Sequence, residues 1–193
     1  MPSKMLKDFP STRDLTTLSN FAALPSAIFL CKSKLAHAKS VAIWQVLACV
    51  LSLAFHSTES HEFSALGMKL DHELDDGCFV RMALPDSLST WGRDHSTFLL
   101  RLDEIGALIL VAFTCTACGG LFRTLRLAFG PCRSVTLPAL GALVVSDLLL
   151  RGWAHAVLHA VWHGCAFALV PMLLSASGRA THATGTSGSG KAD

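Results

Sequence analysis

The stretch Gly152–Gly178, with the sequence GWAHAVLHAVWHGCAFALVPMLLSASG, decides the class of this protein. It contains no Asp, Glu, Lys or Arg over its whole length. A helix that crosses a membrane needs roughly 20 consecutive apolar residues, so this stretch by itself predicts a transmembrane helix. Its histidines, His155, His159 and His163, recur every four residues and therefore share one face of that helix.

The composition of the whole chain agrees with a membrane protein. Of its 193 residues, 51% are hydrophobic and only 16% are charged. Soluble domains carry about 25% charged residues, so this chain has too few charges to cover a surface that faces water. The net charge is only +2, and Lys and Arg are not interleaved with aromatic residues. These features argue against a nucleic-acid partner and leave membrane lipids as the expected partners.

Windows of low charge along the chain predict an all-α, multi-pass transmembrane bundle with five spans. The predicted domain covers residues 15–178, with spans at about 15–31, 40–58, 105–122, 134–150 and 152–175. Residues 1–14 form a predicted N-terminal segment, and small polar residues predict a flexible tail at 179–193. Acidic residues and glycines at 59–101 predict an extramembrane loop that contains one short amphipathic helix.

The distribution of positive charge predicts the orientation of the bundle. Two short predicted loops carry six basic residues and no acid: Lys32, Lys34, Lys39, Arg123, Arg126 and Arg133. Loops rich in Lys and Arg stay in the cytosol, so we expect the N-terminus and the acidic loop outside or in a lumen and the C-terminus in the cytosol. The predicted location is the plasma membrane or a membrane of the secretory pathway. An alternative is a cleaved signal peptide that ends at Ala38, although Lys32 and Lys34 follow its apolar core.

Ionisable residues inside the predicted spans are candidates for function, because burying them in a membrane is costly. The predicted orientation places His56, Asp103, His159 and His163 near the same leaflet. Three histidines and an open fourth position are the ligand set of many hydrolytic zinc sites. Ser52 lies one helical turn before His56 and is a candidate donor to a bound water or a substrate carbonyl. Asp103 is a candidate base or orienting group for that water.

Other interpretations of these residues stay open at the level of sequence. Histidines in apolar helices often serve as polar groups in helix packing, and His155 is expected to be an interfacial residue. A histidine set shared by two helices also suits haem. Cys115 and Cys118 form a C-x-x-C pair inside an apolar segment, which favours small packing residues over a redox or metal pair. A second metal site in the acidic loop would use His61, Glu62, Asp71 and His72.

Four short motifs resemble those of a known family, and they occur in the order that the family has. They are LSNFAALPSAIF in span one, SLAFH at Ser52–His56, LDEIGA at Leu102–Ala107 and HAVWH at His159–His163. The chain resembles the myomaker and transmembrane-protein-eight family of the CREST superfamily, to which alkaline ceramidases and progestin/adiponectin-type receptors also belong. The four motifs are distributed along most of the chain and are absent from the acidic loop and the tail.

The resemblance implies a helical bundle that binds Zn²⁺ through His56, His159 and His163, with Ser52 and Asp103 as catalytic residues. It implies hydrolysis of a lipid ester or amide, by an enzyme similar to a GPI-directed phospholipase or a ceramidase. The myomaker branch implies instead a non-enzymatic protein that promotes membrane fusion or has a structural role. These two functions remain alternatives.

The chain departs from the family in the number of its helices. The family has seven, whereas five are predicted here, so the chain resembles a shortened member. Only 55 residues separate Asp103 from His159, about half of what the family uses. Part of the bundle wall is therefore missing, which leaves open a zinc-binding but inactive protein or a shortened gene product. A homo-oligomer or a partner membrane protein is a further expectation.

Overall fold

Helices make up most of the protein. The computed structural model describes residues 12–58, 61–63, 69–73, 86–149 and 152–186. The helices are α1 (Thr12–Ser19), α2 (Ala23–Lys32), α3 (Ala38–Thr58), α4 (Asp86–Asp94), α5 (Ser96–Ala117), α6 (Leu121–Phe129), α7 (Arg133–Leu149) and α8 (Gly152–Thr186). The predicted helical class is confirmed for these segments, and α4 is the short helix expected within the acidic loop.

The acidic loop also contains two strands that the all-α prediction did not include. Strands β1 (His61–Phe63) and β2 (Lys69–Glu73) pair antiparallel, with His61 opposite Glu73. Five residues between the strands suffice for an antiparallel return, which needs only a short connection. The hairpin adds local structure to the loop and leaves the helical architecture of the rest unchanged.

Helices α1 and α2 form one continuous helical path across the first predicted span. A 3₁₀ turn at Asn20–Ala22 joins them, and Ser19, Ala22 and Ala23 all have right-handed helical backbone angles. Pro25 explains the tighter turn, because its ring and its missing N–H disfavour the regular helical bond to the carbonyl four residues earlier. The path is therefore adjusted at Pro25 and is not interrupted there.

The third predicted span, residues 105–122, differs from the structure at both ends. Helix α5 already begins at Ser96 and ends at Ala117, and the chain then turns by 92° into α6. Gly119 and Gly120 make the turn with φ angles of +89° and +108°, a backbone conformation that glycine adopts at little cost. Helix α8 likewise runs to Thr186, beyond the predicted end of span five and into the region expected to be a flexible tail.

Two of the described helices are long and apolar enough to cross a membrane, Ala38–Ser57 and Trp153–Ala180. The bent pair of α5 and α6 brings the number to three if it is taken as one span, and Arg133–Ser146 is a shorter apolar helix. By length and composition the protein is compatible with membrane insertion.

Small side chains, mostly alanines, recur where α2, α3 and α8 pack around the core. Ala23, Leu30 and Val41 are fully buried there, and Leu173 of α8 joins the same cluster. Helix α5 approaches α3 at Gly106, where an added Cβ would lie 2.8 Å from Leu51 Cδ1. Small residues at helix contacts are typical of membrane bundles, because they let the backbones come near one another.

A proline inside α8 creates a polar contact between three helices. Pro171 has no N–H, so the carbonyl of Phe167, four residues earlier, lacks its helical donor. Ser26 Oγ donates to this carbonyl at 2.8 Å, and Gln45 Nε2 lies 3.5 Å from it and 3.3 Å from the Ala23 carbonyl. We call this set of Ser26, Gln45 and the Phe167 carbonyl the Phe167 clamp. It joins α2 and α3 to α8 at the point where α8 would otherwise have an unsatisfied backbone group.

Candidate metal centre

Three buried histidines meet near one end of the bundle. His56 lies in the last turn of α3, and His159 and His163 lie one turn apart in α8. Their side chains are 6%, 8% and 7% exposed. The four-residue spacing puts His159 and His163 on one face of α8, and the packing of α3 brings His56 to that face. We call these three residues the histidine cluster.

The geometry of the histidine cluster is close to that of a three-histidine metal site. The ring centroids of His56 lie 5.1 Å from His159 and 5.6 Å from His163, and His159 and His163 are 4.6 Å apart. One ring nitrogen from each residue can be chosen so that all three lie within 4.8 Å of one another. Two nitrogens bound to one tetrahedral zinc at about 2.1 Å lie about 3.4 Å apart. The rings would have to move inward, by up to about 1.4 Å for a pair at the 4.8 Å limit, before they could share an ion.

His155 lies one turn before His159 but has a different environment. The sequence favoured an interfacial position for it, whereas the structure buries it to 6% exposure. Its Nδ1 is 2.9 Å from the backbone oxygen of Ser146. Because a carbonyl only accepts, Nδ1 carries a proton and donates it. His155 therefore ties α8 to α7, and its ring stacks on that of His159 at a centroid distance of 5.4 Å.

Ser52 is buried on α3, one helical turn before His56. Residues four apart lie on one face of a helix, so the hydroxyl and the imidazole belong to the same side of α3. The structure thus keeps Ser52 next to the histidine cluster within one element. Its position relative to His56 follows from helical geometry alone, which is why the sequence could predict it.

Asp103 is half-buried on α5, at a level of the bundle between Leu51 and Phe55 of α3. Two contacts between α3 and α5 fix this level. Phe55 packs against Leu99 at one side of Asp103, and Gly106 approaches Leu51 at the other. Its neighbour Glu104 is engaged differently, in an ion pair with Arg101 at 2.6 Å. The packing of α5 on α3 therefore puts one carboxyl group near the level of the histidine cluster.

The remaining candidates from the sequence lie elsewhere. Cys115 and Cys118 are at the end of α5, and Cys118 is fully buried in the main core as a packing residue. The residues considered for a second metal lie on the two strands, and their side chains are outside the described part of the structure: His61, Glu62, Asp71 and His72.

Ser19 contacts the histidine cluster, and the sequence did not single it out as a site residue. Its Oγ is 2.8 Å from Nδ1 of His163, across 144 positions of the chain. Helix α1 packs along α8 and brings the two residues together. No spacing in the sequence relates residue 19 to residue 163, so only the tertiary structure could identify this contact.

Comparison with known proteins does not extend these observations. No family model matches the chain, and neither a curated protein nor a solved structure shows significant similarity to it. The resemblance to the CREST superfamily therefore stays a prediction that rests on the four motifs.

Proposed function

We propose that this protein is a multi-pass integral membrane protein that binds Zn²⁺ and hydrolyses an ester or amide bond of a membrane lipid. The observation that carries the proposal is the histidine cluster, in which three buried imidazoles from two helices offer nitrogens within 4.8 Å of one another. Imidazole is a common ligand of zinc, and three histidines leave one coordination position for water or substrate.

The distribution of apolar side chains supports a position in the bilayer. Large apolar residues are exposed on helices α2, α3, α5, α6 and α7, among them Ile28, Ile43, Leu108, Phe122 and Leu137. A soluble monomer rarely exposes apolar surface on so many sides, whereas lipid chains would cover it. Five crossings follow if the α1–α2 path, α3, α5, α7 and α8 each span the membrane.

The charges at the two ends of the bundle support an orientation with the histidine cluster near the outer leaflet. Lys39 lies at the start of α3 and His56 at its end, while α8 carries His159 in its first half and Arg179 in its second. Lys39 and Arg179 thus lie at the end opposite to the histidine cluster, and short loops rich in Lys and Arg favour the cytosol. This orientation puts the N-terminus outside and the C-terminus in the cytosol.

The ion and the protein side chains would have different roles in the proposed reaction. A bound zinc ion supplies Lewis acidity toward a carbonyl oxygen and makes a water nucleophilic near neutral pH. His56, His159 and His163 hold the ion, and their burial keeps bulk water away from it. Ser52 would donate a hydrogen bond to the substrate carbonyl, and Asp103 would take the proton of the attacking water. Such a site suits a ceramidase or a phospholipase, including one that acts on GPI anchors.

Metal analysis of the purified protein tests the binding site. We expect one zinc per chain in the parent protein and none in His159→Ala or His163→Ala, because two histidines rarely retain zinc against a chelator. His155→Ala is the matched control: it removes a buried histidine from the same helix, one turn away, and should keep the zinc. One zinc per chain retained in either cluster variant would overturn the site.

Turnover assays separate the enzyme from its alternative. Zinc-loaded protein in lipid nanodiscs should release fatty acid or a lysolipid from ceramide, a phospholipid or a GPI anchor, and Asp103→Asn should abolish this release while keeping the zinc. Full zinc without turnover of any of these substrates would overturn hydrolysis. The structural or fusion-promoting function that the myomaker branch implies would then take its place.

A further inference from the structure

We infer that Ser19 of α1 is a positioning residue of the metal centre. Its hydroxyl oxygen accepts a hydrogen bond from Nδ1–H of His163 and thereby leaves Nε2 of His163 as the metal ligand. The inference rests on the proposed zinc site and names a residue that acts through one of its ligands. It stands on two contacts of a single hydroxyl group.

The first contact fixes where the Ser19 hydroxyl hydrogen goes. Ser19 Oγ lies 2.6 Å from the backbone oxygen of Thr16, three residues earlier in α1. A carbonyl oxygen can only accept, so at this distance the hydroxyl must supply the hydrogen. A serine hydroxyl has one hydrogen, and the bond to Thr16 uses it.

The second contact then fixes the tautomer of His163. Ser19 Oγ is 2.8 Å from His163 Nδ1, and with its own hydrogen committed to Thr16 it has only lone pairs to offer. Nδ1 of His163 must therefore carry the ring proton, and this N–H donates a hydrogen bond to Ser19 Oγ. The opposite assignment would bring the Ser19 and Thr16 oxygens to 2.6 Å without a hydrogen between them.

The consequence for the metal centre follows from the chemistry of imidazole. In a neutral imidazole with the proton on Nδ1, the lone pair that can bind a metal is on Nε2. Histidine ligands commonly donate their second N–H to a neighbouring acceptor, which fixes both the tautomer and the ring orientation. Ser19 would be that acceptor for His163, supplied by a helix that contributes no ligand of its own.

The chain provides a close control for a substitution of Ser19. Ser33 makes the same local bond, from its Oγ to the carbonyl three residues earlier, Leu30, at 3.0 Å. Like Ser19 it is half-buried, but it lies in the loop after α2, at the basic end of the bundle. Ser33→Ala therefore removes the same kind of hydroxyl without touching a histidine.

The first measurement is the tautomer itself, in metal-free parent protein labelled with ¹⁵N-histidine. His163→Gln assigns the His163 signals, and the nitrogen chemical shifts report which ring nitrogen is protonated. We expect Nδ1–H in the parent and in Ser33→Ala, and a mixture of both tautomers in Ser19→Ala. A parent protein with the proton on Nε2 would overturn the inference, and this result needs no variant of Ser19 to fold.

The second measurement is metal affinity, by competition with a chromophoric chelator. We expect the zinc dissociation constant to rise about 10- to 100-fold in Ser19→Ala, to stay unchanged in Ser33→Ala, and to recover in Ser19→Thr, which keeps the hydroxyl. The visible spectrum of the cobalt(II) form should change only in Ser19→Ala. Equal affinities and spectra in Ser19→Ala and the parent would overturn the positioning role. A parent that binds neither ion would overturn the zinc site, and the tautomer would still be decided by the first measurement.

Discussion

The histidine cluster and the Phe167 clamp are two buried sets of polar groups on the same helices. The clamp joins side-chain donors to backbone carbonyls, whereas the cluster brings side-chain nitrogens close to one another. In the clamp, Ser26 and Gln45 donate to backbone carbonyls, one of which lost its helical donor to Pro171. In the cluster, three imidazoles crowd together with centroids 4.6 to 5.6 Å apart. Both sets include residues of α3 and α8. The α1–α2 path adds one serine contact to each, Ser19 to the cluster and Ser26 to the clamp.

The difference separates structural polarity from polarity that suits a ligand. A hydroxyl or amide that bonds to an unsatisfied carbonyl removes a cost of burying backbone, which in a membrane is several kcal/mol for each unsatisfied group. The close approach of three imidazoles to one another does not by itself offset the free-energy cost of burying their nitrogens. A cation bound by all three would offset it.

Zinc should stabilise the protein through the histidine cluster and not through the clamp. At a free zinc concentration 100 times the dissociation constant, the parent should gain about 2.7 kcal/mol in free energy of unfolding, and His159→Ala should gain nothing. Thermal unfolding of chelator-treated protein in detergent, with and without zinc, measures this gain. Ser26→Ala should keep the full gain, and its loss there would remove the distinction between the two sets.

A large side chain at Gly106 should separate stability from metal binding. Gly106→Leu forces α5 away from α3, since even a Cβ would lie 2.8 Å from Leu51 Cδ1. Overpacking of this kind costs about 1–3 kcal/mol, which a lower melting temperature would show. Zinc stoichiometry should stay at one, because the three proposed ligands lie on α3 and α8, while the proposed lipid hydrolysis should fall as Asp103 moves with α5. Unchanged turnover in a destabilised variant would argue against a catalytic role for Asp103.

Ser26→Ala should destabilise the clamp without affecting the metal. The Phe167 carbonyl would lose its 2.8 Å donor and keep only the 3.5 Å contact with Gln45. A lost hydrogen bond to a buried group costs about 1–3 kcal/mol, and we expect the lower end because Gln45 remains near. Equilibrium unfolding measures the cost. Ser33→Ala, which removes a hydroxyl at the end of α2, should change the free energy of unfolding less.

A double-mutant cycle tests whether Pro171 is the reason for the clamp. In a Pro171→Ala background the new N–H can donate to the Phe167 carbonyl, so Ser26→Ala should cost less there than in the parent. We expect an interaction energy of about 0.5–1 kcal/mol between the two positions, within the range of contacting residues. Additive costs would mean that Ser26 stabilises α8 independently of the missing donor.

The sequence predicted the features that depend on neighbouring residues. The shared face of His159 and His163 and the single turn between Ser52 and His56 follow from helical periodicity, and the helices bear them out. The absence of charged residues predicted a helix from Gly152, although α8 runs on to Thr186. The bend after α5 was missed although Gly119 and Gly120 mark it, because apolar composition continues through the bend to Phe122. Composition measures length along the chain and is insensitive to a change of direction.

Other features depend on how distant parts of the chain pack. His56 was proposed as the third ligand from an assumed topology, and the structure places it against α8. The contact between Ser19 and His163 and the donors to the Phe167 carbonyl have no trace in local spacing. Pro171 indicates from the sequence that the Phe167 carbonyl lacks its helical N–H donor. It does not indicate which side chain donates a hydrogen bond instead.

Composition and the helical repeat therefore establish the apolar helices of this chain and the shared face of His159 and His163, because the repeat fixes the relation of residues four apart. The packing of the helices brings His56 and Ser19 to that face and Ser26 to the Phe167 carbonyl. Small side chains let the helices approach closely and so set which of them meet and at what level, and no local pattern in the sequence encodes this.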